Sequence, residues 1–299
     1  VKPTFLIIGA AKSGTTALWS FVRQHPDVFM PSVKEPQYFA FAEGERPAFR
    51  GPGATIGRAI TSRQAYDALF ADAGQARAVG EASNLYLYRE EAAARIAHEL
   101  PDVRLLAILR QPADRAFSSY QHLKRQGREP APDFASALAL EEERIRDGWG
   151  FLWRYRDLGF YGRQLRRYLD RFPRERLLVH LYEDLASDPA ATLRRTFEFL
   201  GVDPGFDPDF SARPNRGGVP RSGWRGVLLS RRNPVRRLLA PLVPARMRPG
   251  ARAAADSRAL EREALDDATR RRLTADFSAD LGELESLLER DLGDWRAAG

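Results

Sequence analysis

The sequence predicts an α/β protein: three layers, α/β/α, around a central and mostly parallel sheet. Three observations carry that expectation. Short β-rich apolar runs alternate with helical stretches along the chain, the pattern of a helix-covered parallel sheet. The first apolar run ends in glycine and passes through a tight Gly-Ser-Thr loop into a helix. With 43% hydrophobic and 29% charged residues over 299, the chain suits one large domain spanning 1–299. No apolar run approaches the roughly 20 residues needed to span a bilayer.

The elements follow in order. Residues 4–9, TFLIIG, read as a buried parallel strand. Thr15 to Gln24 has helical spacing of Leu18, Phe21 and Val22 and stops before His25-Pro26. Residues 43–58 are rich in glycine and proline and read as a surface loop. RAVGEA (77–82) is a second strand, and VRLLAIL (103–109) the clearest strand in the chain. The latter runs into Arg110-Gln111-Pro112, where proline suits the first turn of a helix over Ala113 to Arg125. Residues 133–147 form an acidic amphipathic helix, and 161–172 are helical by period. RLLVHL (176–181) is a fourth strand, followed by YEDLASDP and a helix from about Ala190 to Leu200. The C-terminal region is helical, with Leu265, Leu273, Phe277, Leu281, Leu284, Leu287 and Leu288 as its buried stripe. No internal repeat is present.

Composition removes several chemistries. There is no cysteine, so disulfides, thiolate metal sites and cysteine nucleophiles are excluded. The four histidines (His25, His98, His122, His180) form no H-x-x-x-H pair, and no metal site is expected. A net charge of +7 favours anionic ligands. Much of the excess lies in 210–255, which carries many arginines and no acid. Within it, 224–248 mixes apolar residues with arginine. That pattern suits a lid over an anionic or lipid-like acceptor, peripheral contact with an anionic membrane surface, or a packing segment with a solvated basic face. Nucleic acid is not the expected partner, because the arginines lack interleaved aromatics and no nucleic-acid motif occurs.

The loop Gly9–Thr16, GAAKSGTT, is P-loop-like but not a nucleotide-triphosphate loop. G-x-x-x-x-G-K-[ST] requires lysine where Thr15 stands, and Lys12 lies three residues earlier. Lys12, Ser13, Gly14, Thr15 and Thr16 still offer consecutive amides, hydroxyls and one cation to a phosphate. A second anion site is Arg110 with Ser118 in LRQPADRAFSSYQH, a guanidinium leaving a strand end and a hydroxyl about two turns into the next helix, facing the same side. Singly, the first is also an ordinary turn and the second an arginine paired with a carboxylate. Both follow strand ends and can share one crevice. Two separated anion sites fit an adenosine with a 3′-phosphate and a 5′-phosphosulfate better than ATP. The strand before Arg110 also lacks the terminal aspartate that holds Mg²⁺ in nucleotide-triphosphate enzymes. A P-loop kinase or NTPase is the alternative reading.

On these residues the chain resembles the sulfotransferases that use 3′-phosphoadenosine 5′-phosphosulfate (PAPS) and release the 3′,5′-bisphosphate (PAP). The flavour is that of the heparan sulfate N- and O-sulfotransferase branch and its bacterial relatives. AKSGTTAL is similar to their 5′-phosphosulfate loop and LRQPADRAFSSYQH to their 3′-phosphate motif. KEPQYFA, GEASNLYL, YGRQLRRYLDRFPRERLLVHLYEDL and RPNRGGVPRS follow in the family's order. The resemblance implies that Lys12 stabilises the leaving phosphate and that Glu35, in KEPQYF, is the general base. Gln37 would then orient the acceptor. Glu81, at a strand end, is the rival base and is expected to face the same crevice; His122 is expected on a helix surface. The resemblance also places Arg216, Gly217 and Gly218 over the 3′-phosphate and adenine. The chain departs from the heparan sulfate branch at Ala82, where lysine is usual, and in that the residues given carry neither the branch's disulfide nor a Golgi anchor. These departures point to a cytoplasmic enzyme with another hydroxyl or amine acceptor on a sugar, glycolipid or small molecule.

Overall fold

A computed structural model describes residues 1–53, 59–211, 219–220, 260–261 and 264–297. Five strands form the central sheet: β1 (Phe5–Gly9), β2 (Val28–Phe29), β3 (Ala78–Ala82), β4 (Arg104–Leu109) and β5 (Leu177–Leu181). All pairings are parallel, in the order β2-β3-β1-β4-β5. β1 lies at the centre, and the strand order reverses beside it. β1 is buried on both faces, which explains its unbroken apolar run.

Alternate residues feed two cores, as the two-residue period of a strand requires. Leu6, Ile8, Val79, Leu105, Ala107 and Leu109 point into one. Phe5, Ile7, Ala78, Leu106 and Ile108 point into the other. Among the described residues, numbered in order, the helices are α1 (Thr15–Val22), α2 (Arg63–Ala68), α3 (Glu90–Glu99), α4 (Pro112–Arg125), α5 (Phe134–Ala139), α6 (Glu141–Arg146), α7 (Tyr161–Leu169), α8 (Tyr182–Ser187), α9 (Pro189–Leu200), α10 (Asp267–Asp276), α11 (Ser278–Leu288) and α12 (Gly293–Ala297). α1 and α9 cover the second core through Leu18, Phe21, Leu193 and Phe197. α3, α4, α7 and α11 cover the first through Ile96, Ala116, Leu165 and Leu281. The result is the three-layer α/β/α architecture.

The expected 133–147 helix divides into α5 and α6 at Leu140. Asp133 caps α5 through the Ser136 N–H at 2.7 Å, and α5 buries Phe134 and Ala137. α6 instead buries Glu141 and Arg144, so the two short helices serve different partners. The 161–172 helix ends at Leu169. In the C-terminal stripe Leu265, Leu273, Phe277, Leu281 and Leu284 are buried, while Leu287 and Leu288 are partly buried. β6 (Val219–Pro220) pairs antiparallel with β7 (Leu260–Glu261). Among the described residues no helix is long and apolar enough to cross a membrane.

Candidate active site

The loop after β1 turns sharply into α1. Lys12 has φ 68°, in the left-handed region, and Gly14 follows at φ 101°. A Cβ at Gly14 would lie 2.9 Å from the Tyr182 ring, so glycine is required both by conformation and by space. Gly14 starts α1 without a side-chain cap, leaving first-turn N–H groups oriented for a ligand. Thr15 is buried and Thr16 half-buried. Ser13 is fully buried beside the Tyr161 hydroxyl. Tyr161 donates to the Arg110 carbonyl at 3.0 Å, and Ser13 Oγ has no hydrogen-bond partner among the described residues. A buried hydroxyl in that state fits a cradle that holds an acceptor-rich ligand.

Arg110 leaves the end of β4 with its guanidinium over the Tyr182 ring, 4.8 Å from the centroid. Gln111 then fixes the turn: its N–H donates to Glu183 Oε1 at 3.3 Å, and its side-chain oxygen accepts from the Asp114 N–H at 2.8 Å. Pro112 opens α4 as expected. Ser118, His122 and Arg125 occupy positions i, i+4 and i+7 of α4, hence one helix face.

Lys12 gathers the site. The leading charged groups acting on it are Arg125, Glu35, Arg110 and Lys34, so three segments distant in sequence act on one another there: the loop after β1, residues 34–35 and residues 110–125. Burial, then Arg125, draw the Lys12 pKa down to about 8, with Glu35 opposing. His122 lies on the surface of α4 as expected, half-buried, with Nε2 3.0 Å from Gln126 Nε2. Burial, then the charges of Lys12, Arg125 and Arg128, hold its pKa at about 3. It is therefore a neutral imidazole at physiological pH.

The KEPQYF segment docks against the end of β3. Glu35 and Gln37 have φ 61° and 59°. The Glu35 N–H donates to the Ala82 carbonyl at 2.9 Å, and the Gln37 N–H to Ser83 Oγ at 2.9 Å. Lys34 Nζ donates to Glu35 Oε1 at 2.5 Å, and the Asn84 amide donates to the same oxygen at 3.0 Å. Asn84 was not singled out by the sequence reading. Its role is invisible there, because the contact joins residues 49 apart.

Glu81 corrects an expectation. It does not face the crevice but is fully buried, accepting from the hydroxyls of Ser83 at 2.9 Å and Tyr66 at 3.4 Å. Strand parity explains this. Glu81 pairs with Leu6 in the β1–β3 register and shares the face of Leu6 and Val79. Burial raises its pKa to about 7. Arg216, Gly217 and Gly218, and the whole of 224–248, lie outside the described residues.

The parallel sheet carries a glycine-broken loop after its central strand β1 and an arginine after the neighbouring strand β4. The sulfotransferase domain family matches residues 2–208, and the chain belongs to that family. A sulfotransferase from Alicyclobacillus acidocaldarius shares 37% identity and a TM-score of 0.78, each chain covered to 99%. The mouse bifunctional heparan sulfate N-deacetylase/N-sulfotransferase 4 is 32% identical over 69% of this chain and 23% of its own length. The mouse heparan sulfate glucosamine 3-O-sulfotransferase 3A1 is 31% identical over 67% of this chain and 46% of its own. The chain thus spans less than half the length of these two relatives.

Proposed function

We propose that the protein moves a sulfuryl group from PAPS to a hydroxyl or amine of a carbohydrate, lipid or small-molecule acceptor, releasing PAP. The observation that supports this most is the charge of one crevice: Lys12, Lys34, Arg110 and Arg125 act together there, with Glu35 the one carboxylate among the leading influences on Lys12. Such an excess of cations favours a polyanionic ligand. The α1 N-terminus with Gly14, Thr15, Thr16 and the unpartnered Ser13 hydroxyl would hold a 5′-phosphate. Arg110 with Ser118 would hold a 3′-phosphate.

PAPS, when bound, supplies the sulfuryl group. Lys12 faces the negative charge that builds on the departing phosphate oxygen, where stabilisation counts most by analogy with loose phosphoryl transfer. Glu35 accepts the proton that the acceptor's O–H or N–H loses as its bond to sulfur forms. The sugar-acting relatives favour a carbohydrate acceptor. Ala82, which adds no cation beside the crevice, favours one other than heparan sulfate itself.

The test is thermal denaturation with PAP beside ATP·Mg²⁺. A ligand at 100 times its Kd adds about 2.7 kcal/mol to stability. Stabilisation by PAP without magnesium is the expected result. Stabilisation by ATP·Mg²⁺ alone would overturn the reading in favour of a kinase or NTPase.

A further inference from the structure

Glu35 is surrounded by an asymmetric set of donors. Both of its side-chain hydrogen bonds fall on Oε1, from Lys34 and from Asn84. Among the described residues no hydrogen bond reaches Oε2, and the Glu35 side chain is 35% exposed. One oxygen is therefore fixed and the other is open to a ligand.

The Asn84 amide is itself fixed. Its oxygen accepts from Gln37 Nε2 at 3.2 Å while its nitrogen donates to Glu35. The reverse orientation would set the amide oxygen against a carboxylate that can only accept. Gln37 is buried, and its backbone N–H is tied to Ser83, whose hydroxyl donates to the buried Glu81. The sequence Glu81, Ser83, Gln37, Asn84, Glu35 is thus a continuous hydrogen-bonded line from the core to the crevice. Lys34 cannot supply the same order. Its ammonium is a point charge on a flexible stem, whereas the planar amide imposes a direction.

We propose that Asn84 is a positioning residue for Glu35: held by Gln37, it pins Oε1 and turns Oε2 toward the acceptor. This rests on Glu35 being the general base. A carboxylate held in one rotamer abstracts a proton more often than one that swings, and a small misplacement of a reacting group is costly.

The experiment is a double-mutant cycle on Glu35 and Asn84. Turnover is read as PAP released from PAPS, with a glucosamine-terminated oligosaccharide as acceptor, and with water alone if the sugar gives no acceleration. Asn84→Ala is expected to lower kcat about tenfold, the scale of one lost hydrogen bond to a charged group, with KM for PAPS, PAP affinity and Tm unchanged. Glu35→Gln is expected to lose more, and adding Asn84→Ala to it to lose nothing further. Should Asn84→Ala fold poorly, Asn84→Asp keeps the volume and should be at least as slow, since it sets a second carboxylate against Glu35. A slow Glu35→Gln with Asn84 variants at the wild-type rate, or additive losses in the double mutant, would overturn the positioning role alone. A Glu35→Gln enzyme at full rate would remove the base reading and the positioning role with it.

Discussion

Lys12 holds its charge under pressure. It lies in a left-handed turn, partly out of water, with Arg125, Arg110 and Lys34 acting on it. A bound phosphate relieves that pressure, so the crevice is a site whose cations are worth more with a ligand than without. The pH consequence has a definite sign. With the pKa lowered to about 8, Lys12 loses its charge as pH rises through 8, while a phosphate ester is already doubly ionised above about 6. PAP affinity should fall above pH 8, by at most about tenfold per pH unit for one linked proton. Isothermal titration across pH 7 to 10 reads this directly, and Lys12→Ala should flatten the profile. Lys12→Ala should also lower turnover by roughly 100-fold or more, whereas Arg110→Ala should chiefly weaken PAP binding. Near-normal turnover in Lys12→Ala would dismiss its role in stabilising the leaving group. The strand-loop-helix turn over Gly9–Thr16 and the place of Arg110 after β4 were legible in the sequence because each is contiguous and follows a strand. The surroundings of Glu81 and Asn84 were not, since strand parity and contacts across the chain decide what they touch.

At the scale of elements, the site depends on how closely β3 approaches β1. Gly80 lies opposite Phe5 in their register, and a Cβ there would fall 2.5 Å from the Phe5 carbonyl oxygen and 2.6 Å from its ring. Backbone cannot yield at that distance without parting the strands. Gly80→Ala should therefore destabilise by about 1–3 kcal/mol through overpacking, seen as a lowered urea midpoint with an unchanged slope. A wild-type midpoint would show that β3 can shift without loss. The same strand carries the anchors of the Glu35 segment, so PAP release should slow in step. Strands β1 and β4 were readable because their apolar runs are nearly unbroken, the mark of a sheet covered on both faces, and β3 and β5 because short apolar runs recur there despite Glu81 and His180. β2 was not, since two residues carry no period. α3 was missed because its buried face is Ala92, Ala93 and Ile96, and alanine adds little to a hydrophobic stripe. α8 begins directly after β5 and buries only Leu185, too little signal for periodicity to find.

Across the whole molecule, the crevice is assembled by keeping α4 in place at both ends. Its N-terminus is held by Gln111, which also donates to the Trp295 carbonyl of α12 at 3.1 Å. Beyond its C-terminus lies a buried ion pair. Glu129 accepts from Arg144 at 2.7 and 3.0 Å, from the Tyr155 hydroxyl and from the Ala131 N–H, with Glu129 and Arg144 side chains 0% and 5% exposed. Among the described residues the other ion pairs lie at or near the surface and contribute little each. This one joins the segment after α4 to α6 and to Tyr155. Removing one partner leaves the other charged and unpaired in the core. Glu129→Gln should cost about 3–5 kcal/mol, far more than loss of a surface pair such as Arg166 with Glu283. Because α4 carries Ser118, His122 and Arg125, the damage should extend to the site: PAP affinity should fall in Glu129→Gln although Glu129 is not among the leading charges acting on Lys12. Measured together, a lowered Tm with intact PAP affinity would mean that the crevice holds its shape independently of this anchor. A loss of both would tie the binding site to the packing of the domain around α4.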